Sequence, residues 1–248
     1  MSEQPQPRVR VRYSVRGKVR FLSHRDVARV TERAIRRAGI PVAYTQGFSP
    51  RPKLQYGLAL STGYESDAEY VDLFLDPLRV GVREPSAVAE ALDACLPAGL
   101  DVTAAAAVAP GEPSLQDGVS STSWEVEVDQ AEAGREELAR RVEDLWAADH
   151  HEIEIVRKGN RVREDLRPLL LHLSLAPPAG GTPTDDPSLL LTELGTKPRS
   201  IRPAELLETL GITQPLLVRR THQWKHGECR QEPLGLEAPP PRAEVRAS

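Results

Sequence analysis

The chain has 248 residues, 40% hydrophobic but only 4% aromatic, which allows an aliphatic core in one large domain or two modest ones. No stretch approaches the ~20 apolar residues of a membrane span, and the opening MSEQPQPRVR has no apolar run, so neither a membrane anchor nor a signal peptide is expected. Cys95 and Cys229 lie too far apart for a CxxC motif and suggest no disulfide framework, which fits a reducing cytoplasm.

Charge is unevenly spread. Residues 1–53 hold 13 basic and 3 acidic side chains, and the rest of the chain holds 19 and 33. Such asymmetry points to an anionic partner, unless the basic and acidic parts face each other within the fold.

The elements follow in order. RVRVRYSVR (8–16) alternates as a strand, with Val9, Val11, Tyr13 and Val15 on one face and Arg8, Arg10, Arg12 and Arg16 on the other. FLSHRDVARVTERAIRRAGIP (21–41) reads as a helix with Ser23 as N-cap, Asp26 three residues on, a Leu22–Val27 staple, and Gly39 and Pro41 as stops. Val27, Val30, Ala34 and Ala38 share one helical face, and Arg25, Arg29, Arg33 and Arg36 form a stripe almost opposite. The arginine-lined strand just before it strengthens the case for a binding surface.

YTQGFSPRPKL (44–54) is a stiff turn. Gly47 can take unusual backbone angles, while Pro50 and Pro52 restrict themselves and their predecessors. It presents Arg51 and Lys53, with Gln46 and Ser49 able to donate to phosphate or read a base edge. Phe48 is expected to be the apolar foot that seats the turn in the core, with stacking on a base as the alternative.

LQYGLAL and AEYVDLFLD read as strands, 84–100 as a helix and 101–109 as a weaker strand. The stretch 109–122 reads as a linker. The pattern then restarts, with a strand at 123–129, a helix at 133–148, strands at 151–158 and within 163–176, then SLLLTEL, a helix at 202–211 and a strand at 215–224. The tail 226–248 is expected to be disordered. The fold class is therefore α+β, with two tandem ferredoxin-like βαββαβ domains, 8–108 and 123–225, each with an antiparallel sheet; the second carries an extra strand or hairpin.

No phosphate-binding GxxxxGK[ST] loop, GxGxxG fingerprint or HExxH motif is present. The adjacent His150 and His151 would point to opposite faces of a strand, so no metal or other cofactor is expected, and Asp185 and Asp186 read as solvated loop residues. His24 reads first as a helix-start residue bonded to nearby backbone, and otherwise as a nucleic-acid contact or general acid/base. Arg163, Arg167, Lys197, Arg199, Arg202 and Arg220 could extend an anion surface.

Residues 20–73, with the SHxD motif and the GFSPRPK turn, resemble the uncharacterised family of radical-SAM-associated proteins, and RKGNRVREDLRPLL and RSIRPAELLETLG are similar to its later part. In this resemblance Ser23, His24 and Asp26 match the first motif, and Gly47, Phe48, Ser49, Pro50, Pro52 and Lys53 the second. Arg51 stands where relatives commonly have His, which favours binding over cleavage. The chain is also distantly similar to CRISPR repeat-processing endoribonucleases. The family has no assigned activity, and its context implies RNA processing or modification. Together with the cations of 20–53, this makes a cytoplasmic RNA-binding accessory protein the leading expectation, with RNA and a separate radical SAM protein as partners. The chain itself lacks the three closely spaced cysteines of a radical SAM enzyme. A metal-independent endoribonuclease using His24 and a protein–protein adaptor are the alternatives.

Overall fold

The structure is a computed structural model that describes residues 6–79, 84–157, 159–178, 186–226 and 230–235. Asp185, Cys229 and residues 236–248 of the expected tail lie outside the described residues. The fold is mixed α+β, with mainly antiparallel strand pairing and few helices. It divides into two compact units, one from the chain up to Val119 with the segment from Pro233, the other from Ser120 to Glu232. Among the described residues no helix is long and apolar enough to cross a membrane.

The first unit runs β1 (Arg8–Val15), α1 (His24–Arg37), β2 (Leu54–Tyr56), β3 (Glu65–Phe74), α2 (Pro85–Asp93) and β4 (Val102–Ala107), followed by the short α3 (Leu115–Gly118). Its strands pair antiparallel in the order β4-β1-β3-β2. Val9, Val11, Tyr13 and Val15 of β1 pack with Val71 and Leu73 of β3 against Val27, Ala34 and Ile35 of α1 and Val88 and Leu92 of α2. Burial of each such aliphatic side chain contributes roughly 1.5–3 kcal/mol. α1 begins where expected. Ser23 accepts the Asp26 N–H at 3.2 Å and donates its hydroxyl to the Asp26 carboxylate at 2.6 Å. Gly39, at φ +62, lets the chain turn away after the last helical turn.

Two elements are shorter than the sequence suggests. β2 spans only Leu54–Tyr56 of the strand expected through LQYGLAL: Gly57 makes one more bond to Tyr70, and the chain then bends at Leu58. α2 ends at Asp93, well before Pro97 and Gly99. Rather than stopping the helix, Gly99 permits a close backbone approach, since at φ +93 a Cβ there would meet the Arg16 carbonyl oxygen at 2.5 Å.

The opposite face of β1 and β3 is also buried. Arg10, 2% exposed, donates to both oxygens of Asp72, 0% exposed, at 2.7 and 3.0 Å, and to the Pro233 carbonyl at 3.0 Å. Ala68 and Tyr70 pack there with Leu115 and Leu234. The stretch 109–122 is therefore more than a connector. It contains α3, capped by Ser114 on Asp117, and Leu115 is buried. Part of the tail is likewise ordered: Arg230–Gln231 form β11 on β10, and Leu234 packs on the first unit's second cluster.

The second unit runs β5 (Ser121–Val128), α4 (Arg135–Ala147), β6 (Glu152–Arg157), β7 (Asn160–Asp165), β8 (Leu170–Leu175), β9 (Ser188–Gly195), α5 (Pro203–Thr209), β10 (Leu217–His226) and β11 (Arg230–Gln231). Its sheet order is β10-β5-β9-β8, all antiparallel, and β6 and β7 pair with each other as a hairpin. Without that hairpin and β11, the order of elements and of strands repeats that of the first unit. Leu138, Val142 and Leu145 of α4 are buried, as their spacing predicts, together with Val126, Leu190, Leu194 and Leu206.

The buried ion pair yields a stability prediction. Asp72→Ala strands the Arg10 guanidinium and should cost about 3–5 kcal/mol in urea unfolding, whereas the double change Arg10→Met with Asp72→Leu should cost far less. Equal losses in both variants would show that packing, not charge pairing, holds this face.

Candidate nucleic-acid interface

α1 packs its apolar side on the sheet, so its arginines project outward. Arg25, Arg29, Arg33 and Arg36 are all exposed, and so is Arg37, which the sequence stripe left out although it lies one helical turn after Arg33. Arg29 pairs with Asp26 at 3.3 Å. Among the described residues Arg25, Arg33, Arg36 and Arg37 have no carboxylate partner. At 1.5 Å rise per residue, Arg25 to Arg36 covers about 16 Å.

A second arginine-bearing helix in the same chain makes the contrast. On α4, Arg140 pairs with Glu137 and Asp144, both at 2.8 Å, and Arg141 with Glu137 at 2.9 Å. These bonds hold the Glu137 carboxyl down at about 2. The acids at i−3, i−4 and i+4 neutralise α4 along its own surface, whereas α1 has Asp26 and Glu32 against five arginines.

The arginines of β1 do not belong to this surface, contrary to the reading of that strand. Arg10 is locked to Asp72, Arg8 lies 3.4 Å from Asp72 and donates to the Glu112 carbonyl, and Arg16 pairs with Asp67 at 2.7 Å. Their carboxylates come from β3, the antiparallel neighbour that places Arg10 opposite Asp72. The cations of the second half are mostly structural too. Arg220 is 1% exposed over the Trp124 ring. Arg167 donates to the Ala148, Leu170 and Trp146 carbonyls, and Arg199 binds Glu164 and Glu205. Arg163 reaches Glu152 only at 3.9 Å.

The turn at 44–54 is a tongue with a laddered base. Lys53 N–H bonds the Ala43 carbonyl at 2.7 Å, Thr45 N–H bonds the Arg51 carbonyl at 2.9 Å, and the Thr45 hydroxyl accepts the Arg51 N–H at 3.1 Å. Ala43 and Lys53 in turn bond to Phe74 of β3. Residues 46–50 form the tip, with Gly47 at φ +133. Gln46, Gly47, Ser49 and Arg51 are exposed, and the Arg51 guanidinium has no partner among the described residues. Lys53 is exposed but not free: its ammonium lies 4.7 Å from the Phe74 ring and 2.9 Å from the Gln6 side-chain oxygen.

Phe48 overturns its expected role. It is 110% exposed at the centre of the tip and cannot seat the tongue. The foot is Pro52, which is buried and bridges to Tyr44, and the backbone ladder to β3 supplies the stiffness.

His24 is the first residue of α1, exposed, with its ring edge-on to Tyr56 at 5.2 Å. It borders a recess of about 20 Å³ with Arg20, Ser61 and Glu69, room for a single water. Burial pushes the Tyr56 phenol up to about 12, so that neighbour stays neutral and cannot serve as a base.

Among the described residues no three His, Cys, Asp or Glu side chains are placed to hold a metal. His150 instead pairs with Asp165 at 2.8 Å across the root of the β6–β7 hairpin, and that hydrogen bond raises the imidazole above its ordinary 6.5. Because the folded value is raised, the pair's stabilisation is complete below pH 6.5 and is lost as pH rises through the folded value. NMR titration should give a His150 midpoint above 6.5, and Asp165→Asn should bring it down; an unmoved midpoint would mean that Asp165 does not hold the imidazolium.

No curated protein sequence matches the chain. A family model does match, over residues 8–203, from the start of β1 through the arginine stripe and the tongue to the first residue of α5. The chain belongs to the DUF2344 family, described as uncharacterized protein conserved in bacteria.

Proposed function

We propose that this chain is a cytoplasmic RNA-binding accessory protein that holds RNA for a separate RNA-processing or RNA-modifying enzyme. A radical SAM protein is the partner that the family resemblance implies. The observation that carries this reading is the outward face of α1, where Arg25, Arg33, Arg36 and Arg37 are exposed with no carboxylate partner among the described residues. Guanidinium groups present a planar fork of donors that matches phosphate oxygens. Five arginines and no lysine on that face suit a phosphate backbone. Contacts of this kind position a nucleic acid without reading its sequence.

We also read each unit as a ferredoxin-like domain. The supports are the β-α-β-β-α-β order and the matching strand orders β4-β1-β3-β2 and β10-β5-β9-β8, once the β6–β7 hairpin is set aside. In the first unit this scaffold holds α1 and the tongue by its core and by backbone bonds. Functional loops are commonly positioned in this way.

The reading favours binding over cleavage at His24. The recess beside it has room for only one water, and Tyr56, its aromatic neighbour, stays protonated. An enzyme would be indicated by cleavage of labelled RNA in EDTA that Arg25 variants keep and His24→Ala loses.

The test is a salt titration of RNA affinity. Arg25→Gln, Arg33→Gln and Arg36→Gln together should flatten the slope of log K against log salt by roughly 2 to 2.7, and Arg51→Ala by roughly 0.7 to 0.9. Arg140→Gln on α4 should leave the slope unchanged, because that arginine is already neutralised. Circular dichroism confirms folding of each variant. Slopes identical in all of them would remove α1 from the interface, and an acidic protein that binds where RNA does not would make the chain an adaptor.

A further inference from the structure

The geometry points to Phe48 as a stacking platform for an unpaired base, so that the RNA bound here is single-stranded at the tongue. This inference rests on the RNA-binding reading and names the class of RNA that the site takes.

The observations concern one side chain in an aromatic-poor protein. The chain has three phenylalanines. The Phe74 ring lies under Lys53 and Arg8, at 4.7 and 5.8 Å, and Phe21, 62% exposed, has the Arg20 guanidinium 5.0 Å away. Phe48 alone is 110% exposed, and among the described residues no ring or cation lies over it. An apolar ring held fully in water gains nothing from burial in the fold, and here it stands on a tip whose base is fixed to the sheet by backbone bonds.

Its surroundings identify what it is suited to contact. The other tip residues, Gln46, Gly47, Ser49 and Pro50, are exposed and include no second large apolar side chain. A protein-binding hot spot needs a surrounding seal that excludes water, and the tip has none. A nucleobase needs only a π face to stack on, hydrogen-bonding groups at its edge, and a cation for the phosphate beside it. Phe48, the Gln46 and Ser49 side chains, and the partner-free Arg51 guanidinium supply these in that order. The tongue's ladder, from Thr45 and Arg51 down to Phe74 of β3, holds the tip before anything binds. Base pairs in an A-form duplex are stacked on both faces and leave none for an added ring.

The experiment compares wild type, Phe48→Ala and Phe48→Trp on two RNAs of equal length, one unpaired and one annealed to its complement as a blunt, loop-free stem. The unpaired RNA carries a single fluorescent 2-aminopurine. Wild type should bind the unpaired RNA more tightly and quench the reporter. Phe48→Ala should lose the quench and bind the unpaired RNA roughly 5- to 150-fold more weakly, with its salt slope unchanged because the ring bears no charge. Phe48→Trp should restore both. The side chain is fully exposed, so Phe48→Ala should fold as wild type does. If wild type binds unpaired RNA and Phe48→Ala matches it within twofold, the stacking inference falls and the phosphate interface stands. Equal wild-type affinity for stem and unpaired RNA also overturns it. A wild type that binds neither RNA at low salt overturns both.

Discussion

The pairing of Arg10 with Asp72 is the constraint on which the first unit depends. Both groups are almost fully buried, so each needs the other. They sit directly opposite on β1 and β3, with Val9, Val11 and Val71 turned to the other side of the sheet. A slip of one residue would send arginine into the aliphatic core and valine to the charged face. A buried ion pair of this kind adds little net stability over an apolar pair of the same shape, but any register that separates Arg10 from Asp72 would leave both charges buried alone. With the register set, the apolar face of β1 lies under α1, and the arginines of that helix point outward.

The same pairing explains why the basic excess of residues 1–53 overstates the field of the folded protein. Arg8, Arg10 and Arg16 have carboxylates from β3 within 3.4 Å. The helix α1 has only Asp26 and Glu32 among five arginines. Alike in composition, the strand and the helix differ in where their counter-charges come from. A strand's neighbour is another strand, here about 60 residues away in sequence; an exposed helix face has as neighbours only the residues three and four positions along.

What the sequence made legible follows from that difference. Periodicity located β1, α1, α4 and β9, and the serine cap set the start of α1, because those signals lie within one element. The repeated order of elements was legible for the same reason, and it recurs once β6, β7 and β11 are set aside. The partners of Arg10, Arg167 and Arg220 were hidden because they are brought in by pairing and packing. Leu115 was hidden in a stretch whose composition reads as a linker, yet one buried leucine and a capped turn suffice to order it. Phe48 was misassigned by a rule that is sound for most loops. A loop needs a foot, but here backbone bonds to β3 and the buried Pro52 provide it, and the ring was left outside.

The backbone ladder at the root of the tongue has a mechanical consequence. Ala43 and Lys53 bond to Phe74, and Val42 bridges to Leu75, at the end of β3. A pull on the tip is therefore passed to the sheet through peptide groups, with no flexible side chain in the line of force. The arms behave as an outrigger of the sheet, and the bonded amides of Ala43, Thr45, Arg51 and Lys53 should share its protection from solvent exchange, while those of residues 46–49 should exchange freely. A molecule gripped at the tip can be held at a fixed distance and angle from the domain, as a clamp holds a workpiece for a separate tool.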